Sequence, residues 1–166
     1  MVFQDETGFT LHPRLGRGWA KKGKRLRIPT TSQHQIRLNV SGWVAPLVGR
    51  YGMVKTLKGD RKGFIKVLRQ LYNRLKGYTI WLYVDGARWH KGDPVETFLK
   101  KHPRLHLEYL PPYQPGLNAQ ERIWRRLRYE ATTNRWFDDL YVIWATVQKT
   151  TRSWSVQKIR RLCSLT

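Results

Sequence analysis

The run Thr79-Ile-Trp-Leu-Tyr-Val84 is almost wholly apolar and stops at Asp85-Gly86. A continuous apolar stretch of this length reads as a strand buried on both faces. Such a strand needs partners at its edges and helices above and below it, and the surrounding periodicity supplies both. Val2 and Phe3 lead a short strand expected to end at Asp5. Residues 35–44 alternate in part, through Ile36, Leu38 and Val40, and predict a second strand. Residues 46–57 predict a third, paired with the second across a turn. Asp60 stands as an N-cap before Phe64, Ile65, Leu68, Leu71, Tyr72 and Leu75, which recur at helical spacing, and Gly77 stands where a C-cap glycine belongs. After the buried strand come a helix over 94–101, a strand over 105–110, a stiff proline loop over 111–116 and a long helix over 118–135. One or two helices fill 139–162. This order predicts an α/β fold, a mixed sheet of about five strands with helices on both faces. Residues 1–135 are expected to form the core and 136–166 a helical extension of the same domain.

The charge narrows the function. Thirty-two Lys and Arg face 11 Asp and Glu, a net charge of +21. A chain so basic repels itself unless a polyanion neutralises it. Eight Trp, eight Tyr and five Phe argue against a disordered basic tail, which would be poor in aromatics. A folded, aromatic-rich, basic domain points to nucleic acid. One cysteine, Cys163, excludes an intramolecular disulfide framework and a cysteine zinc site; it reads as an inert helix residue. The longest apolar run falls far short of the roughly 18 residues of a membrane span, and the acids of Met1-Val-Phe-Gln-Asp-Glu6 do not suit a signal peptide. The expected location is cytoplasmic, nucleoid-associated in a prokaryotic host, with no membrane partner.

Acids are so few that their positions carry information. Residues 7–59 contain none. Asp5 and Asp85 are expected at strand ends, where ligands gather in mostly parallel sheets, and Glu121 in the first turn of the long helix. Adjacent first and fourth strands would bring the two aspartates together, and the proline loop would swing Glu121 over them. Three carboxylates in a basic cleft call for a hard cation, Mg²⁺ or Mn²⁺. Two such ions suit phosphoryl transfer. Each acid also has an ordinary reading: a turn at Asp85-Gly86, an arginine partner for Asp5, and a capping box in which Glu121 reaches back to Asn118.

Three strings resemble those of DDE transposases of the insertion-sequence-630 and mariner superfamily. They are Leu110-Pro-Pro-Tyr-Gln-Pro-Gly-Leu-Asn-Ala-Gln-Glu-Arg-Ile-Trp124, Val84-Asp-Gly-Ala-Arg-Trp-His90 and Phe3-Gln-Asp-Glu-Thr-Gly-Phe9. The first is specific and the other two are weak alone. Thirty-five residues lie between Asp85 and Glu121, close to the family spacing. The resemblance implies an RNase H-like fold, with Asp5, Asp85 and Glu121 both as the catalytic triad and as ligands of two Mg²⁺ or Mn²⁺ ions. It implies cleavage of transposon ends and strand transfer into target DNA. A metal-dependent nuclease without strand transfer and a non-catalytic DNA-binding remnant are the alternatives. Gly86, Gln114 and Ala119-Gln120 depart from the family strings, and none removes a carboxylate. Relatives carry an N-terminal helix-turn-helix region, whereas this chain opens almost at its first catalytic strand. A split gene, a decayed copy and an excised domain all fit that start, with the helix-turn-helix a separate partner or a missing domain. A homodimer is compatible with the resemblance.

The expected DNA contacts are Arg17, Lys21, Lys22, Lys24, Arg25 and Arg27 in a Gly-rich loop, with Arg125 and Arg128 on the long helix. A solvated basic face is the alternative for the last two. His90 matches the family histidine and is expected to touch a phosphate or orient a metal-bound water, against a structural hydrogen bond. His102 and His106 are four apart, but Pro103 and the expected strand spoil a zinc pair. Trp43, Trp81 and Trp124 are expected in the core; Trp19 and Trp89 either stack on bases or pack.

Overall fold

The computed structural model describes residues 1–32 and 35–164. In chain order the elements are β1 (Val2–Thr10), β2 (Arg37–Ala45), β3 (Arg50–Thr56), α1 (Arg61–Arg74), β4 (Ile80–Val84), α2 (Asp93–Lys100), β5 (Leu105–Tyr109), α3 (Ala119–Ala131), α4 (Leu140–Arg152) and α5 (Val156–Cys163). The strands form one mixed sheet in the order β3-β2-β1-β4-β5. β2 and β3 are antiparallel, whereas β1–β4 and β4–β5 are parallel. The expected α/β class and the adjacency of the first and fourth strands both hold. Among the described residues no helix is long and apolar enough to cross a membrane.

The chain divides into two compact units. One comprises Met1–Thr7, Asn39–Trp124 and Ser155–Thr166; the other comprises Gly8–Leu38 and Arg125–Trp154. In the first unit, Asp60 accepts a hydrogen bond from the Gly63 N–H at 2.7 Å and starts α1, which buries Phe64, Val67, Leu68 and Leu71. Each such side chain contributes roughly 1.5–3 kcal/mol on burial. They pack with Val95 and Phe98 of α2 and with Val2, Trp43, Ile80, Leu82, Val84 and Leu105 of the sheet. On the opposite sheet face, a Cβ at Gly42 would lie 2.5 Å from the Trp124 ring. The glycine is what lets this indole of α3 lie flat on β2.

In the second unit Phe9, Leu11, Leu127, Ala131, Phe137, Ile143, Val147 and Trp154 are buried. Asp139 caps α4 through the Val142 N–H, and Glu130 accepts from the Trp154 indole at 2.7 Å. The basic run 17–27 lies exposed on an irregular segment, as its glycines predict.

Four expectations are corrected. β1 does not end at Asp5 but continues to Thr10; its central place in the sheet overrides the turn-like Asp-Glu-Thr-Gly string. Pro46 opens a 3-10 turn over Pro46–Val48, closed by Gly49 at φ 62°, so β3 starts only at Arg50. The long helix ends at Ala131, where Thr132 and Thr133 turn their hydroxyls back onto the Arg128 carbonyl. Trp81 is 45% exposed. β4 therefore alternates: Ile80, Leu82 and Val84 enter the core, while Trp81 stacks on His106 of β5 at 4.5 Å between ring centroids. Trp43 and Trp124 are core residues, Trp89 packs against the core, and Trp19 is fully exposed.

Candidate active site

The parallel register sets Val2 level with Leu82 and Phe3 level with Tyr83. Two residues further along, Asp5 falls level with Asp85. Side chains alternate across a strand, so both aspartates share the face on which Phe3 and Tyr83 stack at 5.4 Å. Asp85 stands where β4 stops; Asp5 does not end its strand.

Glu121 reaches the same place through Asn118. The buried Asn118 side chain donates to the Gln4 carbonyl on β1 at 3.0 Å and accepts from the Gln120 N–H at 3.0 Å. It thus caps α3 and ties the helix start to the residue before Asp5. The Asn118 N–H, which a capping box would give to Glu121, is taken by the Pro115 carbonyl at 3.1 Å. Glu121 is left for the site, in a first turn whose dipole favours a carboxylate. All three acids line one cavity of about 310 Å³, walled by Gly86 and the proline loop from Leu110 to Pro115. On that loop Tyr113 is fully exposed and adopts the left-handed conformation, φ 60°.

Burial, then Glu121, Glu6 and Asp85, push the Asp5 carboxyl up from 3.8 to about 8. Asp85 moves the other way, held low by its hydrogen bond to His90 and by the Ala87 N–H at 3.0 Å. His90 is fully buried against Phe64, with ring centroids 4.3 Å apart. Its Nδ1 lies 2.9 Å from Asp85 Oδ1 and its Nε2 3.4 Å from Glu6 Oε1. Burial opposes charge on the ring, yet the Asp85 and Glu6 hydrogen bonds outweigh it and raise its pKa to about 9. His90 thus braces the acid that ends β4. Glu6 also accepts from Gln4 Nε2 at 2.7 Å and Ser41 Oγ at 3.3 Å.

Glu6 was assigned no role in the sequence reading. The available signal is alternation: next to Asp5 on a strand, it must face the other way. Gln4, Ser41 and Tyr109, whose hydroxyl donates to the His90 carbonyl at 3.1 Å, carry no comparable signal. Arg17, Lys21, Lys22, Lys24, Arg25, Arg27, Arg125 and Arg128 all belong to the second unit and line no wall of this cavity. His102 Nδ1 lies 2.6 Å from the Phe98 carbonyl. Burial pushes the Cys163 thiol up to about 11, leaving it inert.

The donor set fits a hard cation. Three carboxylates share the cavity, and their repulsion already shows in the raised Asp5. Among the described residues no three His, Cys, Asp or Glu are close enough to hold a metal as they stand. The acids line the cavity without forming a closed coordination sphere.

Residues 1–142 match the profile of a family described as DDE superfamily endonuclease. The chain is 31% identical over 140 residues to the insertion element IS630 uncharacterized 39 kDa protein of Shigella sonnei, covering 81% of this chain and 39% of that one. Its fold is similar to that of a pre-cleavage Mos1 transpososome, with TM-score 0.71, 13% identity and coverage of 98% of this chain and 51% of that one. It is also similar to the catalytic domain of Mos1 mariner transposase, with TM-score 0.63, 15% identity and coverage of 98% and 74%. The five-stranded mixed sheet with its helices is thus the RNase H-like fold of those structures. The chain spans well under half the length of the insertion-element relative and about half of the transpososome chain.

Proposed function

Because the chain belongs to the DDE superfamily endonuclease family, we propose that it is the catalytic domain of a DNA transposase. It cuts phosphodiester bonds at element ends and joins the freed 3′-hydroxyl to target DNA. The observation that carries this is the convergence of Asp5, Asp85 and Glu121 on one cavity. Asp5, Asp85 and Glu121 would hold Mg²⁺ or Mn²⁺, in the two-ion arrangement suited to open carboxylate ligands. When bound, such ions supply Lewis acidity to the phosphate and lower the pKa of water. Solved Mos1 paired-end complexes described with Mn and with Mg support the choice of ion and of DNA as partner.

The residues of the chain divide the remaining work. Asp5, held protonated by burial and by its acidic neighbours, would have to give up that proton to serve as a ligand. Asp85 is kept ionised by Ala87 and braced by His90. Glu121 is presented to the cavity from the first turn of α3. No Ser, Tyr or Cys is placed as a nucleophile. Residues 1–135 are read as the catalytic core and 136–166 as its helical extension; Ser155 to Cys163 belong to the compact unit of the three acids, whereas Arg125–Trp154 runs across that boundary within the other unit. Reading of element ends, by a helix-turn-helix region, and pairing of ends in a homodimer belong to the proposed whole machinery.

The test compares the parent chain with Asp85→Ala on duplexes carrying element ends, in Mg²⁺ and in Mn²⁺. Cleavage should vanish in the variant while duplex binding persists. Joining of pre-cut ends by the parent separates a transposase from a nuclease. Equal cutting by Asp85→Ala would refute the site, and binding without cutting by the parent would identify a non-catalytic remnant.

A further inference from the structure

We propose that the second unit carries a phosphate site, built from Arg14, Arg128 and Arg135, that holds a backbone phosphodiester of DNA. The three arginines and His12 line a cavity of about 200 Å³. Its volume exceeds several times the roughly 30 Å³ share of a water molecule, enough for a phosphate and the edge of its sugar. Phe9 and Phe137, both buried, form apolar wall, and no carboxylate lines it. Three guanidinium groups around one small cavity raise a positive potential there, which attracts an anion. Guanidinium groups meet phosphate oxygens through paired N–H donors, which a carboxylate-lined metal site could not supply.

Backbone contacts fix the points from which these side chains extend. Arg14 forms a parallel bridge with Thr133, and the Asn134 N–H donates to the Arg14 carbonyl at 2.9 Å. Asn134 sits in the left-handed region, φ 56°. From there its side chain accepts from the Gly16 N–H at 2.9 Å and donates to the Gly16 carbonyl at 3.1 Å. A Cβ at Gly16 would fall 2.6 Å from the Thr133 methyl, so the glycine permits the close approach. This clamp holds Arg14 beside the end of α3, which supplies Arg128, and beside Arg135 just after it. The exposed run 17–27 lines neither this cavity nor the acidic one. A clamped, acid-free arginine cavity is a built site for an anion, and +21 of net charge favours an anion presented in series along a polymer.

The identity of the phosphate source rests on the DNA-transposase reading, and free inorganic phosphate is the competing source. The experiment uses the full chain in EDTA, with Arg14→Gln/Arg135→Gln as the variant; both residues are exposed, so folding should be preserved and is checked by melting without ligand. Duplex affinity is measured by anisotropy over a salt series. Loss of one phosphate contact should flatten the slope of log K against log salt by about 0.9, so the variant's deficit grows about eightfold for each tenfold dilution of salt. Arg14→Lys/Arg135→Lys should restore the slope while binding more weakly than the parent, because it keeps charge and loses the fork. Unchanged slope and affinity in the glutamine variant would overturn the site. So would a parent whose melting rises with inorganic phosphate, lost in the variant, while the duplex slope stays the same. A parent that binds no duplex at any salt would instead overturn the DNA-transposase reading itself.

Discussion

Replacing Asp5 by Asn should stabilise the metal-free protein at neutral and alkaline pH. Asp5 is pushed up from 3.8 to about 8 by burial and by the charges of Glu121, Glu6 and Asp85. The folded chain therefore keeps this proton over a range in which the unfolded chain has lost it. Stability must fall as pH rises from about 4 to about 8, because the native state binds more protons there than the unfolded state. The span of about four pH units, at 1.36 kcal/mol each, sets a ceiling on the order of 6 kcal/mol. Water and mobile ions in the open cavity screen part of it, leaving roughly 2 kcal/mol. For a chain of this size that is about 4–8 °C in melting temperature. The isosteric amide removes the charge and so removes the penalty. Thermal melts of parent and Asp5→Asn in EDTA should coincide near pH 4 and separate by that amount at pH 8, the variant higher. Millimolar Mn²⁺ should reverse the order, since only the parent gains by mass action. If Asp5→Asn melts at or below the parent at pH 8 in EDTA, the carboxylates do not repel as described and the argument for a cation loses its basis.

Glu6→Gln preserves a hydrogen-bond acceptor for His90 but removes its charge. An NMR titration should show His90 losing its proton near pH 9 in the parent and at lower pH in the variant; identical midpoints would show that Glu6 does not hold the charge on the ring. Gly86 departs from the family string, yet a Cβ there meets nothing within 4 Å and its φ lies outside the left-handed region. Gly86→Asn should therefore leave stability unchanged or raise it by about 0.4–1 kcal/mol through the unfolded state, read as a higher denaturation midpoint. A lower midpoint would mean the turn after Asp85 needs glycine.

Much of this fold can be read from local pattern because the pattern and the packing agree. Asp60 and the spacing of Phe64, Leu68 and Leu71 specify α1 without help from the rest of the chain. The acids of the site were legible because acids are scarce and because the proline–asparagine–glutamate string is specific. What escaped the sequence depends on partners distant along it. Asp-Glu-Thr-Gly after Phe3 has turn chemistry, and only a central position in the sheet keeps it extended to Thr10. Trp81 sits in a run that looks buried, but its indole is half exposed on His106. Glu6, Ser41 and His90 are separated by tens of residues and meet only once three strands are aligned. Arg14 and Arg135 looked like two of many surface charges until the Asn134 clamp set them around one cavity.

The alternation of β1 makes insertions and deletions, rather than substitutions, the changes this domain can least absorb. Asp5 serves the cavity and Glu6 serves His90 solely because they are consecutive on a pleated strand. Loss of one residue between Met1 and Asp5, with the hydrophobic register kept, would hand the longer Glu6 side chain to the cavity, carry Asp5 back to the place of Gln4 and leave Thr7 facing the histidine. Both acids would survive, and a comparison of composition would register almost no change, yet neither would stand where its work is done. No single substitution on either face could undo that, because the error lies in phase rather than chemistry. A compensating insertion within the same few residues would restore it at a stroke.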